Sequence, residues 1–244
     1  MQFRSAGLFR NGATGSALQT AAREALAFAR QGILLRHDLA DPVIPESVRA
    51  GDDVVVFLHG LFATAGVLRP LRAAVSRYPA VHTAALTYFP GPGVEAISQR
   101  LRGVLGAIPA GARIHLVGHS LGGIVARYFA LEAHDPRVVQ TISLASPFAG
   151  LRRAAWLGLD SGRDLHPKSR VLRRILLHPL AAVIPHLSII AGADNIVDAP
   201  ISHALPGGEV LVMEARGHNT LLFDDEVARA VVQRILERRL ATPR

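Results

Sequence analysis

The serine at position 120 stands in a pattern that can turn its hydroxyl into a nucleophile. Residues 118–122 read Gly-His-Ser-Leu-Gly, with an apolar stretch before them at 114–117 and a helix-periodic stretch after them at 121–129. A Gly-x-Ser-x-Gly pentad between a strand and a helix forms a sharp turn that lifts the serine above the edge of a sheet. The two glycines let strand and helix approach closely. We interpret Ser120 as a nucleophile; the alternative is a glycine-rich turn that contains a serine by chance.

A serine nucleophile needs two further groups, an imidazole that accepts its proton and a carboxylate that orients the imidazole. In the arrangement built on such a pentad these groups follow the serine in the order Asp or Glu, then His, each after a strand. The apolar run 187–190 leads to Asp194, and the run 210–213 leads to His218. We therefore predict a triad of Ser120, Asp194 and His218.

The chain also offers other candidates for the acid and the base. Asp198 lies four residues beyond Asp194, but it also fits the N-cap of the segment that begins at Pro200, so we favour Asp194. Of the eleven histidines, the others fit core, loop or helix-end positions more simply. Strand count and chain order favour His218 as the base.

Backbone amides near the serine are candidates for an oxyanion hole, which stabilises negative charge that develops on a carbonyl oxygen. The first candidate is the amide of Leu121, directly after Ser120. The second is the amide of Leu61, in the loop after the first predicted core strand, with Phe62 as the alternative. Gly60 gives this loop the room to turn its amides inward.

The elements that must position these groups alternate along the chain from about residue 53 onward, which is typical of βαβ units on a parallel sheet. We predict an α/β fold with a mostly parallel sheet of about six strands flanked by helices. The predicted strands are 54–58, 81–86, 114–117, 138–144, 187–191 and 210–213. The predicted helices are 67–77, 94–108, the helix after the pentad and 227–236.

Two segments depart from this alternation, and they define the predicted domain organisation. Residues 1–50 hold an amphipathic helix with Leu18, Ala22, Leu26, Ala29 and Ile33 on one stripe. We favour packing on the domain or a lid over binding to a membrane surface, because the polar face carries both signs of charge. Residues 51–244 form the main domain, and 147–186 interrupt its sheet as a small helical cap or lid.

Composition excludes several other classes of protein. The 244 residues contain no cysteine, which excludes disulfides and thiol catalysis, and the net charge of +8 comes from dispersed arginines without a nucleic-acid-binding motif. No window of about 20 apolar residues predicts a spanning helix. The patch between Arg4 and Arg10 is too short for a signal-peptide core, so we expect a cytoplasmic protein.

The motifs together resemble those of the α/β-hydrolases, and more narrowly of small bacterial serine esterases and triacylglycerol lipases. The resemblance covers about residues 53–240, and its matching pieces are His59-Gly60-Leu61, residues 118–123, Asp194 with Ile196-Val197, Gly217-His218, residues 146–150 and residues 164–169. Phe148 and Lys168 depart from the histidine and glycine usual in the cap pieces. The resemblance implies hydrolysis of carboxylic esters through an acyl-enzyme, without a cofactor.

The cap sequence indicates the class of substrate. Its apolar residues suit an acyl chain, so we expect a small-molecule, lipid-like or medium-chain acyl ester. The candidate substrate-binding residues are Phe62, His119, Phe148, Trp156 and Leu157. Arginines on the cap have two interpretations, attraction to an anionic lipid surface and a solvated helix face.

Other functions are compatible with parts of this pattern. An acyltransferase or a thioesterase would use the same triad with a different acceptor or leaving group. A non-catalytic receptor or scaffold would not need all three triad residues. No metal is expected, because the chain lacks a pattern such as His-Glu-x-x-His. The oligomeric state is left open.

Overall fold

The computed structural model describes residues 8–11 and 16–241 of the chain. Within these residues seven strands form one sheet in the order β1-β7-β6-β5-β4-β2-β3, and all of its strand pairs are parallel. The strands are β1 Leu8–Asn11, β2 Asp53–Leu58, β3 Val81–Leu86, β4 Arg113–His119, β5 Val138–Leu144, β6 His186–Ala191 and β7 Glu209–Met213.

Helices cover both faces of the sheet. They are α1 Ala17–Leu34, α2 Arg69–Val75, α3 Val94–Gly106, α4 Leu121–Glu132, α5 Asp160–Asp164, α6 Arg170–Leu177 and α7 Asp225–Ala241. Strand β2 shows how the two faces are divided, because Val54 and Val56 pack with α3 and α4 while Val55 and Phe57 pack with α2 and α7. Its six residues are all buried, as expected for a strand covered on both sides.

The prediction of an α/β fold with a mostly parallel sheet is confirmed. All six predicted strands are present, and β1 adds a seventh at the edge beside β7, inside the segment predicted to be a helical extension. Residues 1–7 and 12–15 of that extension, including Arg4 of the signal-peptide argument, lie outside the described residues. Among the helices of the described part of the chain, none is long and apolar enough to cross a membrane.

Helix α1 packs on the domain with the face opposite to the predicted apolar stripe. Leu18 is 81% exposed, and Leu26 and Ile33 are also exposed, whereas Ala27 is the buried residue of the helix. The face toward the domain carries small or polar residues spaced three or four apart, Thr20, Glu24, Ala27 and Gln31, and ends at Leu34, which packs against the core. The prediction from apolar periodicity was therefore wrong about which face packs, because polar contacts orient this helix.

The segment after α1 is fastened to the loops at the carboxyl end of the sheet. The Thr64 hydroxyl lies 3.2 Å from the carbonyl oxygens of both Leu35 and His37, and a Cβ on Gly66 would lie 2.3 Å from the Leu34 carbonyl oxygen. Asp38 forms ion pairs with Arg69 and Arg72 of α2. These contacts place α1 beside the edge of the sheet where the strands end.

A helical insertion between β5 and β6 covers α4. It consists of a 3₁₀ turn at Arg152–Leu157, helices α5 and α6, and a second 3₁₀ turn at Pro179–Ala182. The fully buried guanidinium of Arg127, on α4, donates to the carbonyl oxygens of Ala181 and Ile184 at 2.7 and 2.8 Å. This arginine joins the end of the insertion to the helix that follows Ser120.

Candidate active site

Ser120 occupies a strained turn between β4 and α4. Its φ of 52° and ψ of −119° lie in a region that side chains other than glycine rarely adopt, at a cost of about 1–3 kcal/mol. A Cβ on Gly118 would lie 2.2 Å from the carbonyl carbon of Gly122, and a Cβ on Gly122 would lie 2.2 Å from the carbonyl oxygen of Leu58. Both glycines are therefore required by close backbone contact.

Asp194 and His218 form a buried, hydrogen-bonded pair after the neighbouring strands β6 and β7. The His218 Nδ1 lies 2.8 Å from Asp194 Oδ2, and the two side chains are 3% and 1% exposed. The other carboxylate oxygen accepts hydrogen bonds from the amides of Ile196 and Val197 at 2.8 and 2.9 Å. These amides fix the carboxylate, which in turn fixes the ring.

The charge of Asp194 determines which nitrogen of His218 carries the proton. Burial raises the pKa of the Asp194 carboxyl, but the hydrogen bond and charge of His218 and the two amides outweigh burial and leave the pKa below its usual value. An ionised carboxylate only accepts, so Nδ1 of His218 must donate. In the neutral ring, Nε2 is then free to accept a proton.

The alternative acid, Asp198, does not contact the ring of His218. Its side chain is exposed, and its backbone carbonyl lies 2.9 Å from Nε2 of His203. Asp194 is therefore the carboxylate that the fold brings to the imidazole.

His119 joins the His218 loop to the turn that holds Ser120. The His119 Nε2 lies 3.1 Å from the backbone oxygen of His218, and the two rings meet edge to face at 4.8 Å between centroids. Burial, together with the neighbouring His218, lowers the pKa of His119 to about 3, so the ring is neutral. Because the acceptor is a carbonyl, the proton of His119 is on Nε2.

His218 thus lies beside the residue that precedes Ser120. In the described part of the chain, the hydrogen bonds do not include one between the Ser120 hydroxyl and the ring of His218. Bonds of this type are often long in a free enzyme and shorten when substrate is present.

The loop after β2 contacts the Ser120 turn and is held by an aromatic pair. A Cβ on Gly60 would lie 3.2 Å from the Cβ of Ser120, so this loop approaches the serine closely. Nδ1 of His59 lies 2.7 Å from the Gly60 carbonyl, and its Nε2 accepts from the Tyr88 amide at 3.0 Å. The ring stacks on Tyr88 at 3.9 Å, and the Tyr88 hydroxyl donates to the His59 carbonyl.

The His59 imidazole that holds this loop is neutral. Burial lowers the pKa of His59 to about 4, although its bond to Gly60 acts in the opposite direction. Within the described residues, the amide of Leu61 has no hydrogen-bond acceptor, and the amide of Leu121 opens α4, where an intrahelical acceptor is lacking. Both predicted oxyanion-hole donors are therefore available to a ligand.

The five predicted substrate-binding residues fall into two groups. Phe62, Trp156 and Leu157 are exposed, with Trp156 at 83%. His119 and Phe148 are 2% and 1% exposed, and Phe148 packs edge-on against His186 in the core. The burial of these two side chains argues against the predicted contact with substrate, because both are enclosed by the frame of the site.

Solved structures with a similar fold identify the architecture. No family model and no curated protein matches the sequence. A mature lipase of Bacillus licheniformis superposes with a TM-score of 0.65 at 15% identity, over 80% of this chain and 97% of the lipase. A metagenomic carboxyl esterase has a TM-score of 0.62 at 15% identity, with 94% and 96% covered. A bacterial membrane phospholipase A has a TM-score of 0.58 at 16% identity, with 93% and 94% covered.

The chain has the α/β-hydrolase fold. At identities this low the likeness establishes the fold, and the chemistry must be argued from the residues themselves. In this fold, as in other open parallel sheets, ligands bind at the carboxyl ends of the strands. Ser120, Asp194 and His218 follow β4, β6 and β7 at that edge. In residues 8–11 and 16–241, no cluster of three or more histidines and carboxylates is arranged to hold a metal ion.

Two residues of this hydrolase-fold site were missed from the sequence. Tyr88 follows β3 and supports His59, and Glu24 on α1 contacts the loop after His218. Tyr88 could have been found as the polar residue just past a predicted strand. Glu24 carried no local signal, since its partners lie 195 and 196 residues later.

Proposed function

We propose that the protein is a serine hydrolase that cleaves carboxylic esters through an acyl-enzyme. The observation that supports this most strongly is the buried Asp194–His218 pair, which contacts His119, the residue before a serine in a strained strand-to-helix turn. Backbone strain is common at functional sites, and the bond to Asp194 leaves Nε2 of His218 as the proton acceptor that a serine nucleophile requires.

In the proposed reaction the Ser120 Oγ attacks the ester carbonyl carbon, and His218 Nε2 takes the hydroxyl proton. Asp194 stabilises the imidazolium through Nδ1, and the amides of Leu61 and Leu121 donate to the oxyanion. Collapse of the tetrahedral intermediate breaks the bond to the alcohol, which leaves with the proton from His218. Water then attacks the acyl-enzyme with His218 as base, and the acid and free Ser120 are released.

We infer that the substrate is a lipid-like or medium-chain acyl ester. We assign the acyl chain to Phe62, Trp156 and Leu157, the predicted substrate-binding residues whose side chains are exposed. Burial of each additional methylene contributes about 0.8 kcal/mol, so chain length should strongly affect the specificity constant.

The test is a series of p-nitrophenyl esters with acyl chains from about two to sixteen carbons, because each added methylene can bury more apolar surface in the site. We expect kcat/KM to rise with chain length and turnover to vanish in Ser120→Ala. Lack of turnover on every ester, with Ser120→Ala indistinguishable from the parent chain, would remove the proposal. Added alcohols or thiols would show whether the acyl group goes to water or to another acceptor.

We also propose that the exposed face of α1 contacts an anionic lipid surface. Leu18, Leu26 and Ile33 form an apolar stripe open to solvent, and Arg23 and Arg30 lie on the same exposed helix. An amphipathic helix with apolar residues on one side and arginines beside them binds in the headgroup region of a bilayer. The structurally similar membrane phospholipase A is a precedent for this fold at a membrane.

Vesicle co-sedimentation tests this contact. The parent chain should bind phosphatidylcholine vesicles that contain phosphatidylglycerol and should bind pure phosphatidylcholine vesicles weakly. Leu26→Ser should reduce binding, while Leu240→Ser, at another exposed leucine, should not. Equal binding by the parent chain and Leu26→Ser would refute the contact.

A further inference from the structure

Glu24, on the inner face of α1, binds the two residues that directly follow His218. Its Oε1 accepts from the backbone and the side-chain amides of Asn219 at 2.8 and 2.9 Å. Its Oε2 accepts from the backbone amide and the hydroxyl of Thr220 at 2.9 and 2.8 Å. One carboxylate therefore satisfies four donors on the histidine loop.

The loop is shaped to receive this carboxylate. Thr220 opens a 3₁₀ turn, Thr220–Leu222, whose first amides lack acceptors within the turn and can donate to the carboxylate. Gly217, on the other side of His218, leaves the space that Glu24 fills, since a Cβ there would lie 2.4 Å from Glu24 Oε2. Hydrogen bonds to a charged acceptor are roughly twice as strong as neutral ones.

Besides Glu24, α1 contacts the domain through Ala27 and, at its end, through Leu34. Ala27 is the buried residue of the helix, and a groove of about 550 Å³ separates α1 from the loops that carry Asp194 and His218. The groove is lined by residues of both sides, among them Ala21, Gly192 and Glu214. Glu24 spans this boundary with its four hydrogen bonds.

We propose that Glu24 is a positioning residue that holds the His218 imidazole in line between Asp194 and Ser120. This inference rests on the proposed function. The backbone of His218 is fixed from two sides, by His119 at its carbonyl oxygen and by Glu24 at the next amide. The ring then has little freedom to leave the Asp194 carboxylate. Through this contact α1, which lies outside the predicted hydrolase domain, completes the site.

The test compares Glu24→Gln with the parent chain on one p-nitrophenyl ester. A glutamine offers one acceptor oxygen and turns an NH₂ group toward two donors, so the loop must shift. We expect kcat to fall about 10- to 100-fold with KM nearly unchanged, as for small misplacements of a catalytic group. Backbone amide exchange at 217–222, followed by mass spectrometry, should accelerate in the same variant.

Glu209→Gln is the matched control. It removes an ion pair with Arg234 at the start of β7, at the amino ends of the strands and so away from the site. It should therefore affect the melting temperature and leave kcat unchanged. Thr220→Val removes one of the four bonds to Glu24 and should lower kcat to a smaller degree. This variant keeps the inference testable if Glu24→Gln does not fold.

The outcomes separate the two proposals. An active parent chain with unchanged kcat in Glu24→Gln and Thr220→Val overturns the positioning role and leaves ester hydrolysis intact. Faster exchange at 217–222 without a loss of kcat also overturns it, because the loop would be loosened without affecting His218. A parent chain without turnover overturns the proposed function, and the inference with it.

Discussion

Replacement of Asp194 by asparagine should remove most of the activity without changing the shape of the site. The amide oxygen of an asparagine can still accept from the backbone amides of Ile196 and Val197. Its NH₂ group would then face Nδ1 of His218, which must become the acceptor. The ring proton moves to Nε2, the nitrogen that has to take the proton of Ser120.

The expected loss follows from the wrong tautomer. A substitution of this kind in a serine–histidine–carboxylate site lowers kcat about 10⁴-fold, which corresponds to about 5.4 kcal/mol of transition-state stabilisation. The melting temperature should change far less than the rate, since the asparagine retains the two amide contacts.

Asp198→Asn is the matched control for this substitution. It is the same chemical change four residues away, on an exposed side chain, and should leave kcat/KM unchanged. Initial rates on a p-nitrophenyl ester at neutral pH measure both variants. If Asp194→Asn retains activity within about tenfold of the parent chain, or if Asp198→Asn shows the larger loss, the assignment of the acid is wrong.

Three further predictions concern the frame of the site. Gly118→Ala should destabilise the fold by about 1–3 kcal/mol or more, because the new Cβ would lie 2.2 Å from backbone atoms. Gly103→Ala in α3, where the new Cβ meets open space, should stabilise the fold by about 0.5–1 kcal/mol. Urea unfolding measures both changes. His59→Phe should lower kcat about tenfold or more and change KM little, because the amide of Leu61 loses its support; steady-state kinetics with one ester would show it. The pKa of Asp194 is lower in the folded chain than its unfolded value of 3.8, so ionisation of this carboxyl stabilises the fold. This contribution is complete above pH 3.8 and is lost as the pH falls through the folded pKa. The unfolding free energy of the parent chain should therefore fall more steeply in acid than that of Asp194→Asn.

The sheet was predictable where burial leaves a continuous apolar run. Residues 54–58 are apolar throughout because β2 is covered on both faces, whereas β4, β5 and β6 have shorter apolar runs interrupted by buried polar residues such as His115, Gln140 and Ser188. Strand β1 was not predictable, because four residues reading Leu-Phe-Arg-Asn carry no period, and their partner β7 lies about two hundred positions later. A parallel pairing between strands so far apart in the sequence produces no pattern within the residues of either strand.

The site was predictable where a chemical requirement shapes the local sequence. The turn at Ser120 requires glycines two residues away, and the order of strands restricts where its partners lie. The orientation of α1 follows a different rule. Apolar periodicity selected the stripe through Leu18 and Leu26, but Glu24 accepts four hydrogen bonds from the His218 loop, and the opposite face is turned inward. The donors that Glu24 contacts are brought together only in the folded loop, so the sequence of the helix alone does not predict this contact.

Covalent labelling of the nucleophile tests the central claim most directly. A fluorophosphonate probe reacts with a serine only when its hydroxyl is activated by a neighbouring base. The account predicts one adduct per chain, on the peptide that contains Ser120, and loss of the adduct in Ser120→Ala and in His218→Ala. An unlabelled parent chain, or an adduct on a different serine, would contradict it.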